Sequence, residues 1–309
     1  MSTFDPDPFV VAIVATCRRS ALLGKMLASL RSVSAPLAVM VVDNGNDLET
    51  EAVVCAMQGL LEVTRLVPGT NLGCGGGLEY GERAALERYP SATHFWIMDD
   101  DTEVAPQALE RMLAAMREQG AIAACPTILD QEGRMNWFPG LLDSKTFQIA
   151  RQRPLPAEYL ARCGSAPVRF SWACGVSFLI TREALERLGL HRVDFWVRGE
   201  DIEFSLRLTY RDVGVFVPQA VVSHVFPLSQ TTPEAIAMER KKELSMLRNH
   251  AYTALHLPHG RRILRSLPGN FWRYLKNFGV RELGSGICAM WMGGVLKRPS
   301  GVEPKVFEG

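Results

Sequence analysis

The run Phe95-Trp96-Ile97-Met98-Asp99-Asp100-Asp101-Thr102 drives four apolar residues straight into three carboxylates. Such a run reads as a strand buried on both faces that stops at something needing negative charge. Three adjacent acids repel one another and are costly beside a core unless a cation sits among them. Side chains alternate along an extended backbone, so Asp99 and Asp101 can point one way and Asp100 the other. Two hard oxygen donors on one side suit Mg²⁺ or Mn²⁺, which would also hold a diphosphate. An acidic loop or helix cap before Pro106 would use the same residues, so the rest of the chain has to decide.

Further candidates follow other apolar runs. Asn71-Leu72-Gly73-Cys74-Gly75-Gly76-Gly77 opens a helix after a strand. Glycines let backbone N–H groups approach phosphate or sugar, and a helix start favours negative charge. The spacing is neither G-x-G-x-x-G nor a P-loop, so Gly76 and Gly77 read as close packing and Asn71 and Gly73 as ligand candidates. Asp43 can accept from a base or ribose, or close an Asx-turn with Gly45. Arg18 can pair with a phosphate or base, or simply be solvated at a helix start. In Trp196-Val197-Arg198-Gly199-Glu200-Asp201, two acids open a helix. Acids favour that terminus for electrostatic reasons alone. The functional alternative is a general base at Asp201, with Trp172 and Trp196 offering faces for sugars. His224 lies near the end of an apolar strand, either as a core residue or as a nitrogen ligand tilting a carboxylate site toward Mn²⁺.

The elements that would position these residues alternate. Strands are expected at 9–15, 37–42, 63–67 and 95–98, and helices at 22–30, 53–61, 77–89 and from Pro106 to Gly120. This alternation predicts an α/β fold with a mostly parallel sheet and helices on both faces, whose ligands lie at the carboxyl ends of the strands. Thr16 and Arg18, Asp43, Asn71 and Gly73, and Asp99 to Asp101 all sit at such ends. From Ala121 the pattern becomes a mixed sheet, with short strands at 121–129, 134–138, 146–150, 170–180, 213–217 and 220–226. Gln152–Val168, rich in proline and polar residues, is expected to be a mobile loop that could act as a lid. From Pro233 the chain reads as helical.

With 309 residues, 47% hydrophobic and 22% charged, the chain has ample core for one large domain or two ordinary ones. Residues 240–298 hold twelve Lys/Arg against Glu243 and Glu282, leaving the rest acidic beneath a net charge of +1. A basic tail on an acidic body points to an anionic surface, and Phe271, Trp272, Tyr274, Leu275 and Phe278, interleaved with Arg273 and Lys276, suit an interfacial helix. No nucleic-acid-binding motif accompanies the charge. Seven scattered cysteines without a C-x-x-C pair fit reduced thiols in a cytoplasm, and Met1–Pro8 does not resemble a secretion signal. No apolar run reaches the roughly 20 residues of a membrane span.

In order, Thr16-Cys17-Arg18-Arg19, Val41-Val42-Asp43-Asn44-Gly45, Asn71-Leu72-Gly73-x-x-Gly76-Gly77, Trp96-to-Thr102, Gly199-Glu200-Asp201 with Glu203, and His224 form a specific set. Together they resemble the inverting family-2 glycosyltransferases of the GT-A fold, most like bacterial galactofuranosyltransferases and rhamnosyltransferases. The resemblance implies a Rossmann-like GT-A domain over 1–228, divided into a nucleotide-binding half (1–120) and an acceptor half (121–228), with a helical region at 229–309. It implies that Asp99, Asp101 and His224 hold Mn²⁺ or Mg²⁺ and that Asp100 lies near the nucleotide. Thr16, Arg18 and Asp43 would line the base pocket, and Asn71 and Gly73 would face the ribose, diphosphate or donor sugar. Asp201 would be the catalytic base, with Glu200, Trp172 and Trp196 on the acceptor. A UDP- or dTDP-sugar donor, a glycan or lipid-linked acceptor and peripheral contact with the inner face of the cytoplasmic membrane complete the expectation. A nucleotidyltransferase or a non-catalytic nucleotide-sugar-binding module are the alternatives.

Overall fold

The computed structural model describes residues 8–141, 143–225, 232–258 and 260–295. Its first half alternates: β1 (Val10–Thr16), α1 (Ser20–Leu30), β2 (Leu37–Asp43), α2 (Leu48–Met57), β3 (Glu62–Leu66), α3 (Gly73–Arg88), β4 (His94–Asp99), β5 (Thr102–Val104) and α4 (Ala108–Gln119). The second half runs β6 (Ala123–Leu129), β7 (Met135–Asn136), α5 (Ser144–Ala150), α6 (Pro156–Cys163), β8 (Val168–Phe170), β9 (Ser177–Thr181), α7 (Arg182–Leu188), α8 (Glu200–Leu208) and β10 (Gly214–His224). Helices close the described chain: α9 (Pro233–His256), α10 (Arg261–Leu264), α11 (Leu267–Phe278) and α12 (Leu283–Val295).

All the main strands join one sheet in the order β3-β2-β1-β4-β9-β6-β10-β5, with β7 on β6 and β8 on β10. β3, β2, β1 and β4 are parallel. β9 then runs antiparallel between β4 and β6, and β5 antiparallel to β10. The central strands β1, β2 and β4 are near-continuous apolar runs because both faces are covered, whereas the edge strand β3 carries Glu62, Thr64 and Arg65. Val10, Ala12 and Val14 bury with Leu23, Met26 and Leu27 of α1 on one face. Val11 and Ile13 bury with Leu78 and Ala85 of α3 on the other. Each such fully buried aliphatic side chain contributes about 1.5–3 kcal/mol of transfer free energy.

The structure corrects the sequence reading in five places. The single strand expected at 170–180 is two, β8 and β9, with irregular chain over 171–176. Residues 146–150 are not a strand but the body of α5, because Asp143 accepts from the Lys145 and Thr146 N–H groups and starts a helix. The 152–168 segment is not a free loop: Pro156 opens α6, Glu158 accepts from Leu155 N–H at 2.8 Å, and Tyr159 is fully buried against Phe138 and Phe216. The two strands expected at 213–217 and 220–226 are one strand, β10, with a register shift between Val217 and Val221; Phe226 lies outside the described residues. Finally, α2 stops at Met57, so Leu60 and Leu61 fall beyond it.

Candidate active site

Strand pairing, not local sequence, gathers the site. β5 returns antiparallel along β10, which sets His224 opposite Thr102, and Val225 N–H donates to the Asp101 carbonyl at 2.9 Å. His224 Nε2 therefore lies 2.9 Å from Asp101 Oδ1 and 3.8 Å from Asp99 Oδ2. Taking one ligand atom from each of Asp99, Asp101 and His224, all lie within 4.8 Å of one another. Trp137 meets the His224 ring edge-on at 5.1 Å. Burial pushes the Asp99 carboxyl up to about 7, with the Asp101 charge adding to it. Asp101 moves the other way: burial would raise it, but the hydrogen bond and charge of His224, then Arg19, hold it below the usual carboxylate range. Two carboxylates and one imidazole in this compass fit a divalent ion such as Mn²⁺ or Mg²⁺, and the mixed O/N set favours Mn²⁺.

Asp100, in the turn between β4 and β5, makes different contacts from this trio. Its Oδ2 accepts from Thr16 Oγ1 at 2.6 Å and its Oδ1 from Arg19 Nη1 at 2.5 Å. Burial raises Asp100 to about 6 against the pull of Arg19. The same guanidinium donates to Asp101 through Nη2. Arg19 thus bridges two of the three acids.

At the neighbouring strand ends the polar groups are already committed. Asp43 is fully buried; its Oδ1 accepts from Gly45 N–H at 3.0 Å, closing the Asx-turn, and its Oδ2 accepts from Arg65 Nη2 at 2.8 Å. Arg18 is exposed with a φ of +54°. Asn71 Oδ1 accepts from Gly73 N–H at 2.8 Å, and Asn71 Nδ2 reaches Cys17 Sγ at 3.5 Å. The Cys17 thiol, raised first by burial, also feels the charges of Arg18, Asp43 and Asp100, so these groups share one rim. The glycine run is the first turn of α3, not a loop ahead of it. Gly73 has a φ of +76°, and a Cβ there would stand 2.2 Å from Trp196 Cδ1, so only glycine allows the indole this close.

One short loop ties Asp201 to the acids at the end of β4. Gly175 N–H donates to Asp201 Oδ2 at 3.0 Å, while the next residue's carbonyl, Val176, accepts from Asp99 N–H at 3.2 Å and Thr102 Oγ1 at 3.0 Å. Ile202 N–H holds Asp201 Oδ1 at 2.8 Å. Asp99 and Glu200 both feel the Asp201 charge. Glu200 is buried, its Oε2 finds no hydrogen-bond partner among the described residues, and burial followed by the Asp201 charge raises it to about 8. The carboxyl faces the Cys74 thiol at the start of α3. Trp196 packs on Gly73 with Lys241 Nζ 3.9 Å over its ring, and Trp172 packs on Gly140.

The C-terminal helices brace this side. Arg198 donates to Glu239 at 2.6 Å and Glu243 at 2.9 Å, Asn249 Nδ2 donates to the Arg198 carbonyl at 2.8 Å, and Arg192 donates to Tyr252 Oη at 2.6 Å. The His250 ring lies against Gly199, where a Cβ would stand 2.9 Å from its Cδ2. Arg19 belongs to the first sequence motif, but its bridge between Asp100 and Asp101 did not follow from it, and Arg198, Lys241 and His250 carried no role in the sequence reading. None sits in a local pattern that signals its partner, which comes from 41 to 82 residues away for the two arginines.

Residues 6–243 match the family model described as glycosyltransferase like family 2. The chain belongs to this family. Solved structures share the fold at low identity. A mannosyltransferase from Pyrobaculum calidifontis, in complex with GDP-Man and Mn²⁺, superposes with a TM-score of 0.59 at 16% identity, covering 94% of this chain and 76% of that one. S. aureus TarS (residues 1–349) with UDP-GlcNAc gives 0.60 at 13% identity, covering 91% and 79%. GalNAc-T7 with UDP, GalNAc and Mn²⁺ gives 0.53 at 14% identity, covering 90% and 58%. No curated protein matches the sequence. This glycosyltransferase therefore has the GT-A architecture, with the Asp99–Asp101–His224 trio in place to take a divalent cofactor.

Proposed function

We propose that this enzyme is a metal-dependent inverting hexosyltransferase. It moves galactofuranose, rhamnose or a similar hexose from a UDP- or dTDP-linked donor to a hydroxyl of a glycan or lipid-linked acceptor, in the assembly of a bacterial surface polysaccharide. The observation that carries the reading is the Gly175–Val176 loop, which holds Asp201 with one residue and Asp99 with the next. A base and a metal-binding acid fixed to one loop can address the two sides of one reacting carbon. The complexes of the structural neighbours with GDP-Man, UDP-GlcNAc and UDP with GalNAc support a nucleotide-linked donor.

Asp99, Asp101 and His224 would hold Mn²⁺ or Mg²⁺, which when bound offsets the charge that grows on the leaving diphosphate. Asp100 would lie near the nucleotide, Thr16, Arg18 and Asp43 at the base, and Asn71 and Gly73 at the ribose, diphosphate or sugar. Trp172, Trp196 and Glu200 serve the acceptor. Asp201 takes the hydroxyl proton as the acceptor oxygen bonds to the anomeric carbon. The bond from that carbon to the diphosphate oxygen breaks, its electron pair leaving with the nucleoside diphosphate. Attack opposite the leaving group inverts the centre, through a carbon of oxocarbenium character. Residues 1–120 and 121–228 supply the donor and acceptor sides, with 229–309 bracing the second. A cytoplasmic enzyme touching the inner face of the membrane fits a nucleotide-sugar donor and a lipid-linked acceptor. Thermal stabilisation by a panel of nucleotide sugars with Mn²⁺ tests the donor: a true donor raises Tm by mass action. Stabilisation by none of them overturns the reading.

A further inference from the structure

α12 (Leu283–Val295) carries no charged residue. One of its faces is accounted for. Gly286 lies on Phe271 and Tyr274, and Gly293 lies on the Arg248 carbonyl and Ala251, where a Cβ would stand 2.5 and 2.1 Å from its neighbours. Gly286 lets α12 settle close on α11, and Gly293 close on α9. The opposite face is bare: Leu283, Ile287, Trp291 and Val295, four residues apart, are 48–65% exposed, and Met292 beside them is 44% exposed. Leu255 of α9, Trp272 of α11 and Val280, which precedes α12, are also largely exposed. An apolar surface of this kind on a water-soluble face marks a contact.

Two further facts choose the occupant. No described helix is long and apolar enough to cross a membrane, and 13 residues of helix extend only about 20 Å, short of a bilayer's hydrocarbon core. The helical region that carries the stripe is also basic. Arg281 lies two positions before α12, with Glu282 between them and paired to Arg240; Lys297 and Arg298 (outside the described residues) follow Val295 after Leu296 in sequence; and Arg261, Arg265 and Lys276 are exposed in the same helical region. A second copy of the chain meeting this face would bring two basic surfaces together. A leaflet with anionic headgroups would satisfy both the apolar stripe and the cations.

We infer that the outward face of α12 docks on a bilayer surface bearing anionic phospholipid, with Ile287 and Trp291 entering the boundary between headgroups and acyl chains. This moves the contact from where sequence alone placed it. In α11, Tyr274 is fully buried and Phe271 lies under Gly286, so that helix backs the docking face; of its aromatic residues Trp272 stays largely exposed. α12 rests on α9, and α9 holds the Trp196–Arg198 loop, so docking would set the acceptor side of the site against the leaflet. The inference deepens the peripheral-contact part of the proposed function and is independent of the transfer chemistry.

The test is flotation of the full chain with vesicles of phosphatidylcholine alone, and of phosphatidylcholine mixed equally with phosphatidylglycerol. The wild type should float with the mixed vesicles, stay behind with the neutral ones, and be released by high salt. The Ile287→Ser/Trp291→Ser double variant should lose roughly tenfold or more of the binding, as two inserted apolar side chains imply. Its Tm and its turnover of a water-soluble acceptor should be unchanged. Wild type that floats with neither vesicle, or equally with both, overturns the inference. So does a wild-type dimer, seen by light scattering, that the double variant converts to monomer without any vesicle binding. A protein that floats as expected but transfers no sugar would refute the proposed activity and leave the docking face standing.

Discussion

At the strand ends, the proposed donor side, the buried acids meet opposite charge: Asp43 has Arg65, and Asp100 and Asp101 share Arg19. At the start of α8, the proposed acceptor side, Asp201 is held by two backbone N–H groups, and Glu200 has no cationic partner among the described residues. The first arrangement keeps three adjacent acids tolerable next to a core, with Arg19 supplying positive charge beside the trio. The second leaves the Glu200 carboxyl raised by burial and able to exchange a proton near neutral pH. Structure is also supplied differently. The strand-end group is built by consecutive β-α units, whereas the 192–198 segment is held from outside by α9, through Arg198, Arg192 and Asn249.

The largest expected effect follows from placing the base on the acceptor side alone. Asp201→Asn should cut transfer by roughly 10³-fold, within the usual range for a general base, while donor binding measured by calorimetry stays as in the wild type. Equal losses of binding and turnover would erase the division between the two sides. Gly73→Ala probes the point where they touch. Its φ of +76° and a Cβ 2.2 Å from Trp196 should displace the indole and lower kcat/KM by roughly tenfold, about 1–2 kcal/mol; unchanged kinetics would show that Trp196 does not matter for the acceptor. Glu243→Gln removes the shared partner of Arg198 and Arg273. Both arginines are part-exposed, so a loss of about 1 kcal/mol in urea unfolding is expected, together with a raised acceptor KM and an unchanged donor KM.

The smallest effect is a slope. Glu200 keeps its proton to about pH 8 in the fold, against an ordinary value of 4.5. The folded chain therefore binds more protons than the unfolded chain between those values, and stability must fall as pH rises through that window. In metal-free buffer the Tm of the wild type should drop more between pH 5 and 8 than that of Glu200→Gln. A parallel drop in both would assign the slope to other groups.

The centre of the parallel half was legible because strands covered on both faces write themselves as near-continuous apolar runs, as within Val10–Thr16 and His94–Asp99. The acids were legible as the end of that strand, but Asp100 and Asp101 form the turn to β5 instead of continuing the alternation. The second half was harder. Thr146–Ala150 has the short mixed pattern of a strand, and only the Asp143 cap makes it a helix. Tyr159 stands in a polar, proline-rich stretch and yet is fully buried. The partners of Arg19 and the place of His250 were not legible because their neighbours come from distant segments; nothing within a few residues of either announces Asp101 or Gly199.

The central claim is that Asp99, Asp101 and His224 take the metal while Asp201 takes the proton, around one crevice. Mn²⁺ titration followed by electron paramagnetic resonance, run on the wild type, His224→Ala and Asp201→Asn with donor present, tests it most directly. The account predicts one site in the wild type, weakened roughly tenfold or more by His224→Ala, and left intact by Asp201→Asn although that variant no longer transfers sugar. Equal Mn²⁺ affinity in all three proteins would contradict it.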